Sequence, residues 1–301
     1  MWPLRFRPKG PAAWPAAGWN GPRRPPLLPA GAVLPARAGI PLDLRAPLGV
    51  PVTASEGPLF LNGPVWRAEG FRARSLEEMR PFLADPDADG PPVLYFLYHD
   101  LRPVGRAAGA VEVHLTWLNP GLVGEEWVKT AGHDHVGAGR HPGYPELMEV
   151  VHGRVLVLLQ RMRGQGRLAE VLLVTAETGD LLWIPPGYAH LAVNPGLEAA
   201  VLLHARARSC RVDYEGMARY RGAGYYLGPG GAIPNPNYVD VPPPVRLTAR
   251  DLAPPQGMPG GLAEGLAAAV FGRPEAVAPL VAPDRPGGWP ALSWRPGEGM
   301  R

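Results

Sequence analysis

Between residues 92 and 205 the chain breaks into short apolar runs separated by turn residues, and this spacing constrains the fold most. Pro92–Tyr98 and Val111–Leu118 read as strands, the second ended by the turn Asn119-Pro120-Gly121. Glu146–Gln160 reads as two strands broken at His152–Gly153. Leu168–Thr175 and Asp180–Ile184 form a further pair around Glu177-Thr178-Gly179, and Leu197–Ala205 returns as another strand. Many short strands with regularly spaced turns predict an all-β sandwich or barrel and not a parallel α/β sheet. Before them, Ser75-Leu76-Glu77-Glu78 is a capping box that opens a short helix, which Pro81 interrupts.

Composition sets the limits of this domain. The 301 residues include 39 Gly and 40 Pro, unevenly spread. Residues 1–40, rich in Pro, Ala and Arg, have no apolar periodicity and read as a disordered tail. Residues 246–301 are similar, with one helix expected within Leu262–Phe271 that docks weakly if at all. The apolar alternation lies in residues 41–245, so one domain of ordinary size is expected. The net charge of +3 and the lone pair Arg23-Arg24 give no basis for nucleic-acid binding. A single cysteine, Cys210, excludes an internal disulfide and fits a reducing cytoplasm; it reads as a structural thiol. No apolar run reaches transmembrane length, and the first residues lack the apolar stretch of a secretory leader.

The chemistry sits in two stretches. In Thr130-Ala-Gly-His133-Asp-His135 the two histidines are two apart, so on an extended segment both rings point to one face. Glu146 follows, then Gly153 after six intervening residues. The second stretch runs from Gly179 through Pro185, Gly187 and His190 to Asn194, and Pro185-Pro-Gly187 makes a turn that delivers His190. Neutral imidazoles with one carboxylate suit a catalytic divalent metal with open positions. Ten residues, 136–145, separate His135 from Glu146, and their Gly and Pro content reads as an inserted loop. Glu149 is the rival carboxylate, but its odd spacing from Glu146 turns it to the other face of a strand. His141, in the loop, is the substitute ligand to consider, while His99, His114, His152 and His204 read as structural.

These stretches resemble the two signature motifs of the cupin superfamily. The second motif matches at every fixed position from Gly179 to Asn194, and the inserted loop is the departure in the first. The resemblance implies a jelly-roll barrel with short flanking helices and poorly ordered tails. Leu118–His135 further resembles the stretch before the metal site in the cupin-type glucose-6-phosphate isomerases of archaea and some bacteria. Tyr95 in Val93-Leu94-Tyr95-x-x-Tyr98, Ile184–His190, and Asp213-Tyr214 extend the likeness, which covers roughly residues 41–245.

That family implies one divalent metal per chain on His133, His135, Glu146 and His190, with Fe2+ favoured and Mn2+, Ni2+ or Zn2+ compatible. It implies substrate binding by Tyr95, Thr116, Thr130, the Gly132 amide and Tyr214. The implied reaction interconverts glucose 6-phosphate and fructose 6-phosphate, a step of glycolysis and gluconeogenesis. A metal can polarise the adjacent carbonyl and hydroxyl and stabilise an enediolate, while Glu146 carries the proton between C1 and C2. A metal-assisted hydride shift is the rival route. Three positions depart from the family: Met148 and Arg206 replace tyrosines and Val212 replaces a histidine. Arg206 then reads either as a planar phosphate donor or as a surface arginine. The departures leave a second class open, a cupin that binds metal and a sugar phosphate without turnover, and an oxygenase ranks third. A homodimer is the default assembly for such barrels.

Overall fold

The computed structural model describes residues 68–137, 143–252 and 265–282, together with the backbone of the short strands Leu42–Asp43, Val52–Ala54, Phe60–Leu61 and Trp66–Arg67. Residues 1–40 and His141 lie outside the described residues. The main strands are β1 (Gly70–Ser75), β2 (Val93–His99), β3 (Val111–Leu118), β4 (Asp134–Val136), β5 (Glu146–His152) and β6 (Arg154–Gly164). They continue with β7 (Arg167–Glu177), β8 (Leu181–Ile184), β9 (Ala189–Val193), β10 (Ala200–Ala207), β11 (Arg211–Asp213) and β12 (Val245–Thr248). Helix α1 (Leu76–Met79) has both reciprocal bonds of the capping box, between Ser75 and Glu78. Helices α2 (Glu215–Arg219) and α3 (Leu266–Gly272) are similarly short.

Two sheets form the barrel. One has six strands in the order β8-β5-β10-β3-β2-β1, the other four in the order β9-β6-β7-β12. All pairings within them are antiparallel except β7 with β12. The expected all-β jelly-roll architecture is therefore present. Its strand pairing differs from the sequence expectation at one place. Residues 168–175 and 180–184 do not pair with each other: β7 stays in the four-stranded sheet, and β8 crosses to the six-stranded sheet beside β5. The break at Gly153 is also a crossing, from β5 to β6. Gly153 and Gly179 turn these corners at positive φ, 82° and 92°, where a side chain is strained. Thr178 N donates to Gly153 O (3.0 Å) and Gly179 N to Val150 O (2.9 Å), tying the two crossings together.

Strand alternation divides the apolar side chains between two cores. Met148, Val150, Leu202 and Leu118 point inward and meet Leu156, Leu158, Leu172 and Leu191 of the other sheet. Leu147, Val151, Leu203, Val113 and Leu115 point outward. That outer face is covered by residues 265–282 of the same chain, through Leu266, Ala267, Val270, Val277 and Leu280. The helix expected within Leu262–Phe271 thus exists as α3, but it is packed and not free. Its Leu266 N donates to Glu149 Oε2 (2.7 Å), satisfying a first-turn amide that has no partner within the helix.

Candidate metal centre and cavity

The segment before β4 runs beside β9. Thr130 N donates to Ala192 O (2.8 Å), and His133 and His190 exchange both backbone bonds, at 3.1 and 2.9 Å. This bridge brings the His133 and His190 rings to 4.4 Å between centroids. His135, two residues on, lies 5.1 Å from His133 and 5.0 Å from His190. Glu146 enters from the opposite sheet as the first residue of β5. The register after the inserted loop is pinned at its exit, where Tyr144 N donates to His135 O (3.2 Å). Gly143, at φ 103°, passes so close to that carbonyl that a Cβ would collide with it. Glu146 is therefore held inward, opposite Ile184 and Arg206, and Glu149 outward.

One ligand atom from each of His133, His135, Glu146 and His190 lies within 4.8 Å of the others, a spacing that could hold a metal ion. The donor chemistry fits a divalent ion. Burial, followed by His190 and His135, holds the His133 imidazole well below its ordinary range, and burial brings His135 to about 3, so both rings are neutral donors. His133 Nδ1 faces Ala131 O (3.1 Å) and His190 Nδ1 faces Tyr188 O (3.4 Å), which leaves each Nε2 for the cluster. His190 Nε2 and both ring nitrogens of His135 are buried without a hydrogen-bond partner, and a ligated cation would resolve that cost. Burial raises the Glu146 carboxyl, but His204 and His135 outweigh it and keep the group well below the carboxylate range. His204 Nδ1 lies 3.0 Å from Glu146 Oε1, and His135 Nε2 lies 3.4 Å from Oε2.

The cluster opens into a cavity of about 590 Å3, including its mouth. Tyr95, Thr116, Thr130 and Tyr214, all expected at the substrate, line it, as do Met148 and Val212. Gly132 does not line it; its Cα faces the Met217 side chain, and a Cβ there would clash with the sulfur. Arg206 reaches the cavity but is not a surface arginine: its Nη2 is paired with Glu112 Oε1 at 2.9 Å. The expectation that His99, His114 and His204 are merely structural is corrected, since all three line the cavity. They share the inner face of the six-stranded sheet, with His114 and His204 directly opposite on β3 and β10. A signal was available, because His114 is two residues before Thr116 and strand alternation turns both to one side. His152 stays outside, 3.9 Å from Glu198.

A barrel of this form, with a cluster of three histidines and one glutamate inside that could hold a metal ion, defines a cupin. The family model for glucose-6-phosphate isomerase (GPI) matches residues 98–242. A glucose-6-phosphate isomerase of Thermococcus gammatolerans is 30% identical over 146 residues, covering 47% of this chain and 71% of that protein. One from Thermococcus litoralis is 29% identical over 147 residues (47% and 72%), and one from Sinorhizobium medicae 31% over 123 residues (41% and 53%). The chain belongs to the cupin-type glucose-6-phosphate isomerase family. It spans 65% of a Rhizobium meliloti relative's length, so the likeness covers the barrel and not the whole of either chain. An oxalate oxidase structure aligns in part (TM-score 0.28, 18% identity, 35% of this chain and 46% of that one). The fold assignment rests on the sheets described above.

Proposed function

We propose that the chain is a metal-dependent aldose–ketose isomerase that interconverts glucose 6-phosphate and fructose 6-phosphate. The observation that carries this reading is one cavity that brings together a three-histidine, one-glutamate cluster and a set of hydroxyls. His133, His135, Glu146 and His190 would hold the ion, with Fe2+ favoured. A divalent cation bound there supplies Lewis-acid polarisation of the oxygens on C1 and C2 of the open-chain sugar. Glu146 takes the proton from C2 of the aldose and returns it to C1, while the hydroxyl proton passes from O2 to O1. His204 holds Glu146 Oε1 in place during that transfer. Tyr95, Thr116, Thr130 and Tyr214 would take the phosphate. Thr130 Oγ1 already accepts from Ala192 N (3.0 Å), so its own hydrogen is left to donate. A cytoplasmic homodimer is part of the same reading.

A coupled isomerase assay on the purified chain, before and after chelation, tests the proposal. Activity that is lost with the metal and restored by Fe2+ supports it; full activity in protein shown by elemental analysis to be metal-free rejects it. Running the reaction in D2O separates the routes, because proton transfer exchanges label at C1 or C2 and a hydride shift does not. A second reading, sugar-phosphate binding without turnover, is favoured by Met148 and Val212, which bring no proton-handling group to the cavity wall. Ligand binding with no product in the same assay would select it.

A further inference from the structure

We propose that Arg74 sets the phosphate end of the cavity, holding Tyr95 as a pure hydrogen-bond donor and supplying the cation that draws a phosphoryl group there. The proposal rests on the sugar-phosphate reading above and adds a residue to it. Arg74 is a buried residue of β1, directly opposite Tyr95 of β2. Its Nε donates to Tyr95 Oη at 3.2 Å, and Ala131 N donates to the same oxygen at 3.3 Å. A phenol oxygen has two lone pairs and one hydrogen. Both lone pairs are taken, so Tyr95 can offer only its hydrogen, and it can offer it only to an acceptor. Burial raises the Tyr95 pKa above its ordinary value, so that hydrogen stays in place at neutral pH.

The charge points to the same ligand. The Arg74 guanidinium lies 5.9 Å from the Tyr95 ring centre and 5.3 Å from that of Tyr214, and both rings line the cavity. Among the described residues its carboxylate neighbour is Glu78, 3.8 Å away, which is bound more closely by Arg72 at 2.5 Å. Two arginines against one glutamate leave one positive charge uncompensated. A buried cation whose carboxylate partner is shared with a second arginine is only partly compensated, and an anion between the two tyrosines would complete the balance. A phosphoryl group, with acceptor oxygens and negative charge, satisfies both the hydroxyl and the cation.

The test uses the full chain loaded with metal. Inorganic phosphate binding is measured by titration calorimetry, and KM and kcat for glucose 6-phosphate by coupled assay, in wild type, Arg74→Gln and Arg74→Lys. Loss of one charge-assisted contact predicts phosphate binding weaker by about 10- to 100-fold in Arg74→Gln. KM should rise by a similar factor while kcat stays within a few-fold, with Arg74→Lys intermediate because it keeps the charge but not the fork. A residue that only supported the fold would change melting temperature and kcat together and leave this split absent. If Arg74→Gln is too unstable to assay, Arg74→Lys decides: weaker phosphate binding at an unchanged melting temperature supports the proposal. Wild-type phosphate affinity in the folded variants overturns it. If wild type itself neither binds phosphate nor isomerises the sugar, the function reading falls first and takes this proposal with it.

Discussion

The two faces of the six-stranded sheet are built from the same strands and do opposite work. On the inner face Glu146, His204, His114 and Thr116 bring polar atoms to the cavity. On the outer face Leu147, Leu203, Val113 and Leu115 are sealed beneath residues 265–282. Two glutamates three residues apart on β5 condense the contrast: Glu146 meets three histidines, and Glu149 meets one backbone amide. A period of two lets one strand serve chemistry and cohesion at once, provided its register cannot slip. Here the inserted loop threatens that register, and the fit of Gly143 against the His135 carbonyl secures it.

The comparison predicts that damage to the inner face is read in activity and damage to the outer face in stability. The largest effect is metal removal: isomerase activity should fall to background under chelation with little loss of folded protein, as followed by circular dichroism. Glu146→Gln comes next. It keeps the shape and removes the basic oxygen, so kcat should drop by about 100- to 10,000-fold. An active Glu146→Gln protein would remove the base from the proposed mechanism.

On the outer face, Leu280→Ala cuts into the seam between the C-terminal segment and the sheet. Leu280 is fully buried, and truncation should cost about 2–5 kcal/mol in urea unfolding with kcat/KM of the folded protein unchanged. A smaller effect is expected at His204. Removing its bond to Glu146 Oε1 by His204→Phe should weaken metal retention by about 10- to 100-fold, measured by elemental analysis after dialysis. Unaltered retention would mean that Glu146 holds its orientation without His204.

The sequence made these two faces unequally legible. His133, His135, Glu146 and His190 could be found because their spacing is local: two positions on a strand, then one turn rich in Pro and Gly. The inward and outward assignment of Glu146 and Glu149 follows from the same parity. Beyond the parity of His114 with Thr116, His99, His114 and His204 escaped because what makes them a group is pairing between strands far apart in sequence. The crossings at Gly153 and Gly179 escaped for the same reason, since a turn signal does not say which sheet the next strand will join. Arg74 shows the limit most clearly. No motif marks it, and only the pairing of β1 with β2 brings it to Tyr95. The docked C-terminal segment was missed because its short apolar stretch lies among Pro and Gly, and its partner face is invisible in one dimension.

The smallest predicted effect is the most exacting test of the contrast. Glu149 is buried, and burial pushes its carboxyl pKa up, although the Leu266 amide partly offsets this. A carboxyl whose folded pKa is raised adds stability that is complete below its unfolded value, near 4.5, and is lost as pH rises through the folded value. Glu149→Gln keeps an acceptor for Leu266 N and removes the titration. At neutral pH the change in unfolding free energy should be about 1 kcal/mol or less in either direction. From about pH 4.5 upward the variant should gain on wild type, and kcat should stay at the wild-type value throughout. Urea unfolding at a series of pH values, with turnover measured in parallel, reads both quantities. A variant that folds normally but has lost turnover would place Glu149 on the catalytic side of the sheet, and the division of labour between the two faces would then be wrong at its central pair.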